Sequence, residues 1–306
     1  MYKKRKGYVL LIFMSLAVIV LTGCNEKARA GKLEAEEHPS DYNQANSNNK
    51  PMAEGKSGSV RKILVIGPIA GRGSGKSKMA GILVFSSRLS QYTSPDTEVH
   101  VVRIEKGPTS IETFYDEAFS VPEVLKLVDK FKTEYDAMMI SCCADPGLHA
   151  SRELADIPIV GPMETSMHVA ALLGHKFAVI TIPRNAGPWT EMQAREAGLE
   201  DKLACAIGID LPTREIHADE TRTIEEIVKE GQNAIREYGA EVIVLGCTGF
   251  GGRIAKTVEA RLGVPVVEPV RTSLAIADAL ARIGLRNSRS GLYMRRPDPK
   301  KIIGYD

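Results

Sequence analysis

The chain predicts an α/β fold built from parallel sheets in two related lobes, and three observations carry that expectation. Short apolar runs rich in β-branched residues read as buried strands, and they recur along the chain. Helical patterns lie between them, and strands spaced by helices imply parallel βαβ units. A stretch of strand, cysteine, small turn and helix also occurs twice, which points to an internal duplication.

Taken in order, the strand candidates are 62–67 (KILVIG), 98–103 (EVHVVR), 136–141 (DAMMIS), 157–161 (IPIVG), 177–182 (FAVITI), 241–246 (EVIVLG) and 264–267 (VPVV). Helical patterns fall at 122–134, 147–155, 164–173, 187–197, 222–238, 250–262 and 271–283. Small residues and glycine straight after the apolar runs mark strand-to-helix turns.

The duplication pairs EYDAMMISCCADPGLHASRELADIPIVGPMETSMHVAALLG with YGAEVIVLGCTGFGGRIAKTVEARLGVPVVEPVRTSLAIADAL. Each copy reads polar or acidic, strand, cysteine, small turn and helix, then proline, strand, Gly-Pro or Glu-Pro, and helix. It sets Cys142 and Cys247 at equivalent positions, both at strand C-termini. Open α/β sheets bind ligands outside those ends, so both thiols are expected in a cleft shared by the lobes.

The N-terminus reads as an address. Lys3, Lys4, Arg5 and Lys6 precede an apolar stretch from Val9 to Leu21, followed by Thr22-Gly23-Cys24. That stretch is shorter than the roughly 18 apolar residues expected of a spanning helix, so residues 1–24 fit a secretory signal better. The small residues before Cys24 resemble a bacterial lipobox, in which Cys24 becomes the lipidated first residue of an extracytoplasmic protein. A lipid chain anchors the protein to the membrane without spanning it. Residues 25–60 hold almost no large apolar side chain and read as a polar, disordered tether. The domain proper then spans 61–306.

Composition is ordinary, with 43% hydrophobic and 25% charged residues, so a sizeable core is available. Net charge is only +2 and aromatic content 6%, which offers neither a nucleic-acid footprint nor a base-stacking platform. A small-molecule substrate is the expected partner, with a homo-oligomer possible. His149, His168 and His175 show no metal-ligand spacing with other donors, and no metal is expected.

From about 61 to 306 the chain resembles the aspartate/glutamate/hydantoin racemase family, and most of all its hydantoin racemase branch. The resemblance rests on Cys142-Cys143-Ala144-Asp145-Pro146-Gly147-Leu148 and onward to Gly161, on 198–212, on 239–249 (GAEVIVLGCTG), and on the ending SGLYMRRPDPKKIIGY. It implies two pseudo-symmetric flavodoxin-like lobes, the first being about 61–157 plus 268–306 and the second about 158–267. It also implies racemisation without a cofactor, with the acting residue three before Asp145, which is Cys142.

The chemistry suits these residues. Removing a proton beside a carbonyl is slow, and a thiolate helps if backbone amides at a helix N-terminus stabilise it and the developing enolate. The turns after the two thiols offer such amides at Cys143, Ala144, Thr248 and Gly249, and Thr248 adds a hydroxyl. One cysteine acts as thiolate and the other as thiol, with roles exchanged between enantiomers. Two other functions compete: a dicarboxylate isomerase using one cysteine as nucleophile, and a substrate-binding lipoprotein without turnover. Four cysteines besides Cys24 also permit disulfides in an exported protein, though a disulfide would consume the thiols. Cys205 matches no motif and reads as packing.

Asp145 reads either as a ligand contact or as local capping before Pro146. Glu164 either faces the cleft or simply opens a helix. GPIAGRGSGKS ends like a phosphate-binding loop, but Ala70 stands where that pattern needs glycine. The same loop brings Ile69 to the first strand's C-terminal end, where a family member would contact substrate. Relatives usually carry Asn-Pro-Asn where this chain has Gly67-Pro68-Ile69, and Arg72 or Lys76 would then meet an anionic group instead. Glutamate-type racemases usually have His where this chain has Gly249, which favours a hydantoin-like substrate over free glutamate.

Overall fold

A computed structural model describes residues 60–70, 81 and 83–294. The expected signal at 1–24, the tether as far as 59, residues 71–80 and 82, and the last twelve residues lie outside the described residues. The first sheet contains β1 (Arg61–Gly67), β2 (Val84–Phe85), β3 (Thr97–Arg103), β4 (Ala137–Ile140) and β5 (Ile159–Val160), in the order β2-β3-β1-β4-β5. Only β2 runs antiparallel, against β3. The second sheet contains β6 (Phe177–Thr181), β7 (Leu203–Gly208), β8 (Val242–Gly246) and β9 (Val266–Val267), all parallel, in the order β7-β6-β8-β9.

Leaving β2 aside, the two sheets have one topology, with β1, β3, β4 and β5 matching β6, β7, β8 and β9. The central strands are continuous apolar runs because both faces are covered. All five residues of VIVLG in β8 are buried, and each large side chain there contributes about 1.5–3 kcal/mol.

In the first half, α1 (Ser87–Ser90), α2 (Phe114–Phe131) and α3 (Leu148–Leu154) cover the sheet; α4 (Pro162–Leu173) follows β5. In the second, α5 (Ala186–Glu196), α6 (Glu220–Tyr238) and α7 (Gly251–Leu262) do so, and α8 (Pro269–Arg282) follows β9. α4 and α8 each cross to the other lobe. Met163, Met167 and Ala170 of α4 pack with Phe177, Val179 and Val244 of the second sheet. Leu274 and Ala277 of α8 pack with Ile63, Val65 and Met139 of the first. The C-terminal segment stays with the first lobe, where the Asn287 amide donates to the carbonyls of Ala155 (2.9 Å) and Ile157 (2.6 Å).

Three expectations change. The strand expected at 157–161 spans only 159–160 and pairs with β4 in the first sheet. α2 begins eight residues earlier than 122, because Thr113 and Asp116 form a reciprocal capping box ahead of Phe114. Pro122, which suits a first helical turn, lies inside that helix. β7 was not expected at all, since Ala204, Cys205, Ala206 and Gly208 carry little strand signal. Its small residues let α5 approach closely, for a Cβ at Gly187 would lie 3.0 Å from the Ala206 carbonyl oxygen.

Candidate active site

Cys142 follows β4 by two residues. The Ser141 N–H still bonds the Ile66 carbonyl of β1 (2.8 Å), and the Cys142 N–H turns back onto the Ile140 carbonyl (2.8 Å). That tight reversal lifts the side chain off the sheet end. The backbone amide of Ala144 favours the charged form of the Cys142 sulfur.

Cys247 directly follows β8 and is built in the same way. The Gly249 N–H donates to its sulfur at 3.3 Å, and the N–H of Phe250 donates to the Cys247 carbonyl at 3.2 Å. Glycine at 249 eases this approach, because a Cβ there would crowd the Ile216 methyl end at 3.0 Å and stand 3.4 Å from the sulfur.

The two turns meet across the lobes. The Thr248 hydroxyl donates to the Ser141 carbonyl at 3.5 Å, and negative charge on Cys247 raises the proton affinity of Cys142. Both residues keep partial exposure, yet protein surrounds their sulfurs. Burial pushes the Cys142 thiol up to about 12 and the Cys247 thiol up to about 11, against the amides that pull each down. The nearby charges differ, being Asp145 and Glu117 beside Cys142 and Glu112 beside Cys247. Cys142, Cys143, Cys205 and Cys247 are all free thiols.

The other expected site residues divide. Gly249 spends its amide on the neighbouring sulfur, and the Ala144 amide favours the charged form of Cys142. Cys143 is a core residue, packed with Met163, Met167 and Phe177, while its carbonyl accepts from the Gln193 amide at 2.9 Å. Burial holds its thiol well above the ordinary range. Ile69 lies just past the end of β1, partly buried. Asp145 does cap, but not locally: its carboxylate accepts from the N–H groups of Met163 (3.1 Å) and Glu164 (2.8 Å) at the start of α4. Burial pushes Asp145 up to about 8 despite those two amides. Glu164 forms a two-point ion pair with Arg152 (2.7 and 3.2 Å).

Beside the Cys142 turn lies a cavity of about 430 Å³, walled by Ala144, Asp145, Glu164, Glu117, Phe114 and Trp189 among others, but by neither proposed thiol. Phe114 of the first lobe and Trp189 of the second pack there in a tilted arrangement with centroids 4.5 Å apart. Nearby, the Asn185 amide donates to the Glu112 carbonyl at 3.1 Å, again across the lobes. None of Glu112, Glu117, Asn185, Trp189 or Gln193 stood out in the sequence. Each reaches the site from a partner tens of residues away, and no short motif encodes such a contact. Among the described residues, no group of three or more His, Cys, Asp or Glu side chains is placed to hold a metal ion. What the site offers is two thiols, each held by backbone amides, at one inter-lobe position.

Known proteins similar to this chain include racemases. The Asp/Glu/Hydantoin racemase family model matches residues 84–277. The chain is 33% identical over 210 residues to a hydantoin racemase of Pseudomonas sp. (strain NS671), covering 68% of this chain and 84% of that protein. It is 30% identical over 244 residues to a hydantoin racemase of Paenarthrobacter aurescens, covering 79% of this chain and 100% of the relative. The crystal structure of allantoin racemase from Pseudomonas fluorescens superposes with a TM-score of 0.70 at 30% identity, covering 79% of this chain and 100% of that one.

Proposed function

Because the chain belongs to the Asp/Glu/hydantoin racemase family, we propose that it racemises a hydantoin-like substrate by two-base proton transfer between Cys142 and Cys247. One observation carries this reading above the rest. Equivalent strands of two duplicated lobes carry two free thiols toward one site, where the Gly249 amide bonds the Cys247 sulfur and the Ala144 amide favours the charged form of Cys142.

In the forward direction one sulfur, as thiolate, takes the hydrogen from the carbon next to the carbonyl. The electron pair moves onto the carbonyl oxygen as an enolate. The opposite thiol then returns a proton to the other face of the same carbon, leaving the product enantiomer and a thiolate on the second sulfur. No other reactant is consumed. Cys142 and Cys247 exchange roles for the reverse reaction, so the resting enzyme alternates between two protonation states. Amides of Ala144 and Gly249 stabilise whichever sulfur carries charge.

Proton NMR of the full chain in D2O tests this with 5-benzylhydantoin, allantoin, aspartate and glutamate. Loss of the α-proton from hydantoins of either hand is expected, with both enantiomers appearing. Cys142→Ser and Cys247→Ser each lower racemisation by roughly 10²–10⁴-fold, and each retains exchange from only one enantiomer, the opposite one in the two variants. Loss through one cysteine alone would favour a nucleophilic isomerase. Ligand binding without any exchange would leave a binding protein on a racemase fold.

The amino terminus supports export and lipid attachment at Cys24, by the signal-like residues 1–24. Expression in bacteria with radiolabelled palmitate checks it. Label on the wild-type chain that disappears in Cys24→Ser is expected, and an unlabelled wild type would exclude the anchor.

A further inference from the structure

The helix α4 begins with Gly161 at its N-cap and Pro162 at its first position, and no side chain of its own caps it. A helix start leaves orphan N–H groups that need an acceptor. Here the acceptor comes from elsewhere in the chain. Asp145, the third residue after Cys142, places both carboxylate oxygens on the first free amides of α4, Oδ1 on Met163 and Oδ2 on Glu164.

Two further features fit this contact. Asp145 has φ +51, and among the described residues no other non-glycine has a positive φ. Left-handed backbone costs about 1 kcal/mol or more for a residue with a Cβ and persists only where its surroundings enforce it. Gly161 is the matching feature, since a Cβ there would stand 2.4 Å from the Asp145 carboxyl carbon. The absent side chain at 161 is thus the space that the Asp145 carboxylate fills.

The position of this contact gives it a role. The Asp145 N–H bonds the Cys142 carbonyl (3.0 Å), so the aspartate closes the turn in which the Ala144 amide meets the Cys142 sulfur. α4 itself packs in the core of the second lobe, the lobe that carries Cys247. A second tie holds the same helix start to the first lobe, the ion pair of Glu164 with Arg152 of α3. We infer that Asp145 is the positioning residue for Cys142, bolting the Cys142–Ala144 turn to the N-terminus of α4 and so setting one thiol against the other across the lobes.

The inference rests on the reading of Cys142 as a proton-transfer group, but one of its tests does not. Full-length Asp145→Asn and Gly161→Ala are compared with wild type by iodoacetamide alkylation followed peptide by peptide. Releasing the turn exposes the Cys142 sulfur, so Cys142 is alkylated several-fold faster in both variants while Cys247 keeps its wild-type rate. In the same variants kcat for 5-benzylhydantoin falls by roughly ten- to a hundredfold, because a small displacement of a reacting group is costly; KM stays near its wild-type value. Acceleration confined to Cys142 is a pattern that general loosening, which would expose both thiols, does not produce.

Gly161→Ala keeps the aspartate and only displaces it, so it tests position without changing the group and remains informative if Asp145→Asn folds poorly. Unchanged Cys142 alkylation, or equal acceleration at both cysteines, would overturn the inference. If the wild type racemises nothing while the alkylation pattern holds, the clamp stands and the proposed reaction fails.

Discussion

Helices α4 and α8 are duplicates that start in the same way and are capped in opposite ways. Each follows the last strand of its half, begins with proline and crosses into the other lobe. α8 caps itself, for the Glu268 carboxylate just before Pro269 accepts from the amides of Val270 (3.0 Å) and Arg271 (2.8 Å). At the same place α4 has Gly161, and its acceptor is Asp145 from the Cys142 turn. The turn after Cys247 has no aspartate and rests instead on Gly249 and Phe250. One carboxylate thus serves each helix, but only in the first half does it also hold a thiol. Duplicated halves need equivalent interactions, not equivalent residues, and relocating one residue can connect a helix end to a reactive group.

pH gives the largest expected separation between the halves. Both thiols are raised above the ordinary 9.0, Cys142 to about 12 and Cys247 to about 11. Alkylation of Cys247 should therefore reach half its maximum at lower pH than that of Cys142, and an inverted order would undo the contrast. Because the base must be a thiolate, the racemisation rate rises about tenfold per pH unit below the lower of these values. The stability sign is fixed too. Folding favours the protonated thiols, a contribution fully present below 9.0 and lost as pH rises toward the folded values near 11 and 12. Urea midpoints at pH 8 and pH 10.5 measure that loss.

Exchanging the two solutions sharpens the comparison next. Asp145→Ala combined with Gly161→Glu gives α4 the self-capped start that α8 has. The double variant should recover most of the stability that Asp145→Ala alone loses, while racemisation stays low because nothing then holds the Cys142 turn. Recovery of activity along with stability would mean that the cap matters only to the helix.

The smallest effect belongs to the other half. Glu268→Ala removes an ordinary cap and should cost about 0.5–2 kcal/mol, read from thermal unfolding. Cys247 should keep its alkylation rate in that variant, because Glu268 touches no part of the Cys247 turn. A matching change at Cys247 would show that the two halves are wired alike after all.

Much of the fold was legible because apolar runs announce buried strands. The strands around both cysteines and the helices after them lie within a few residues of their expected places. β7 was not, since Ala204, Cys205, Ala206 and Gly208 are chosen for close helix packing rather than for strand propensity. The start of α2 was missed because Thr113 and Asp116 set it, while Pro122 sits inside the helix. At the site, the two thiols and the glycine beside Cys247 could be read directly. Cys143 was expected to offer its backbone amide, and its side chain is packed in the core. Asp145 was readable as a cap, but the helix that it caps was not, because local patterns name a donor and acceptor type without naming the partner.

The sequence by itself determined the parallel α/β architecture, the duplication and the equivalence of Cys142 with Cys247, all of which follow from hydrophobic period and local turn chemistry. Tertiary structure alone decided that α4 and α8 trade lobes, that Gly161 leaves room for the Asp145 carboxylate, and that the Thr248 turn reaches the Ser141 carbonyl. Those contacts join residues from 16 to more than 100 positions apart. Their geometry depends on how the sheets and helices pack as solid bodies, and no single segment of chain carries that information.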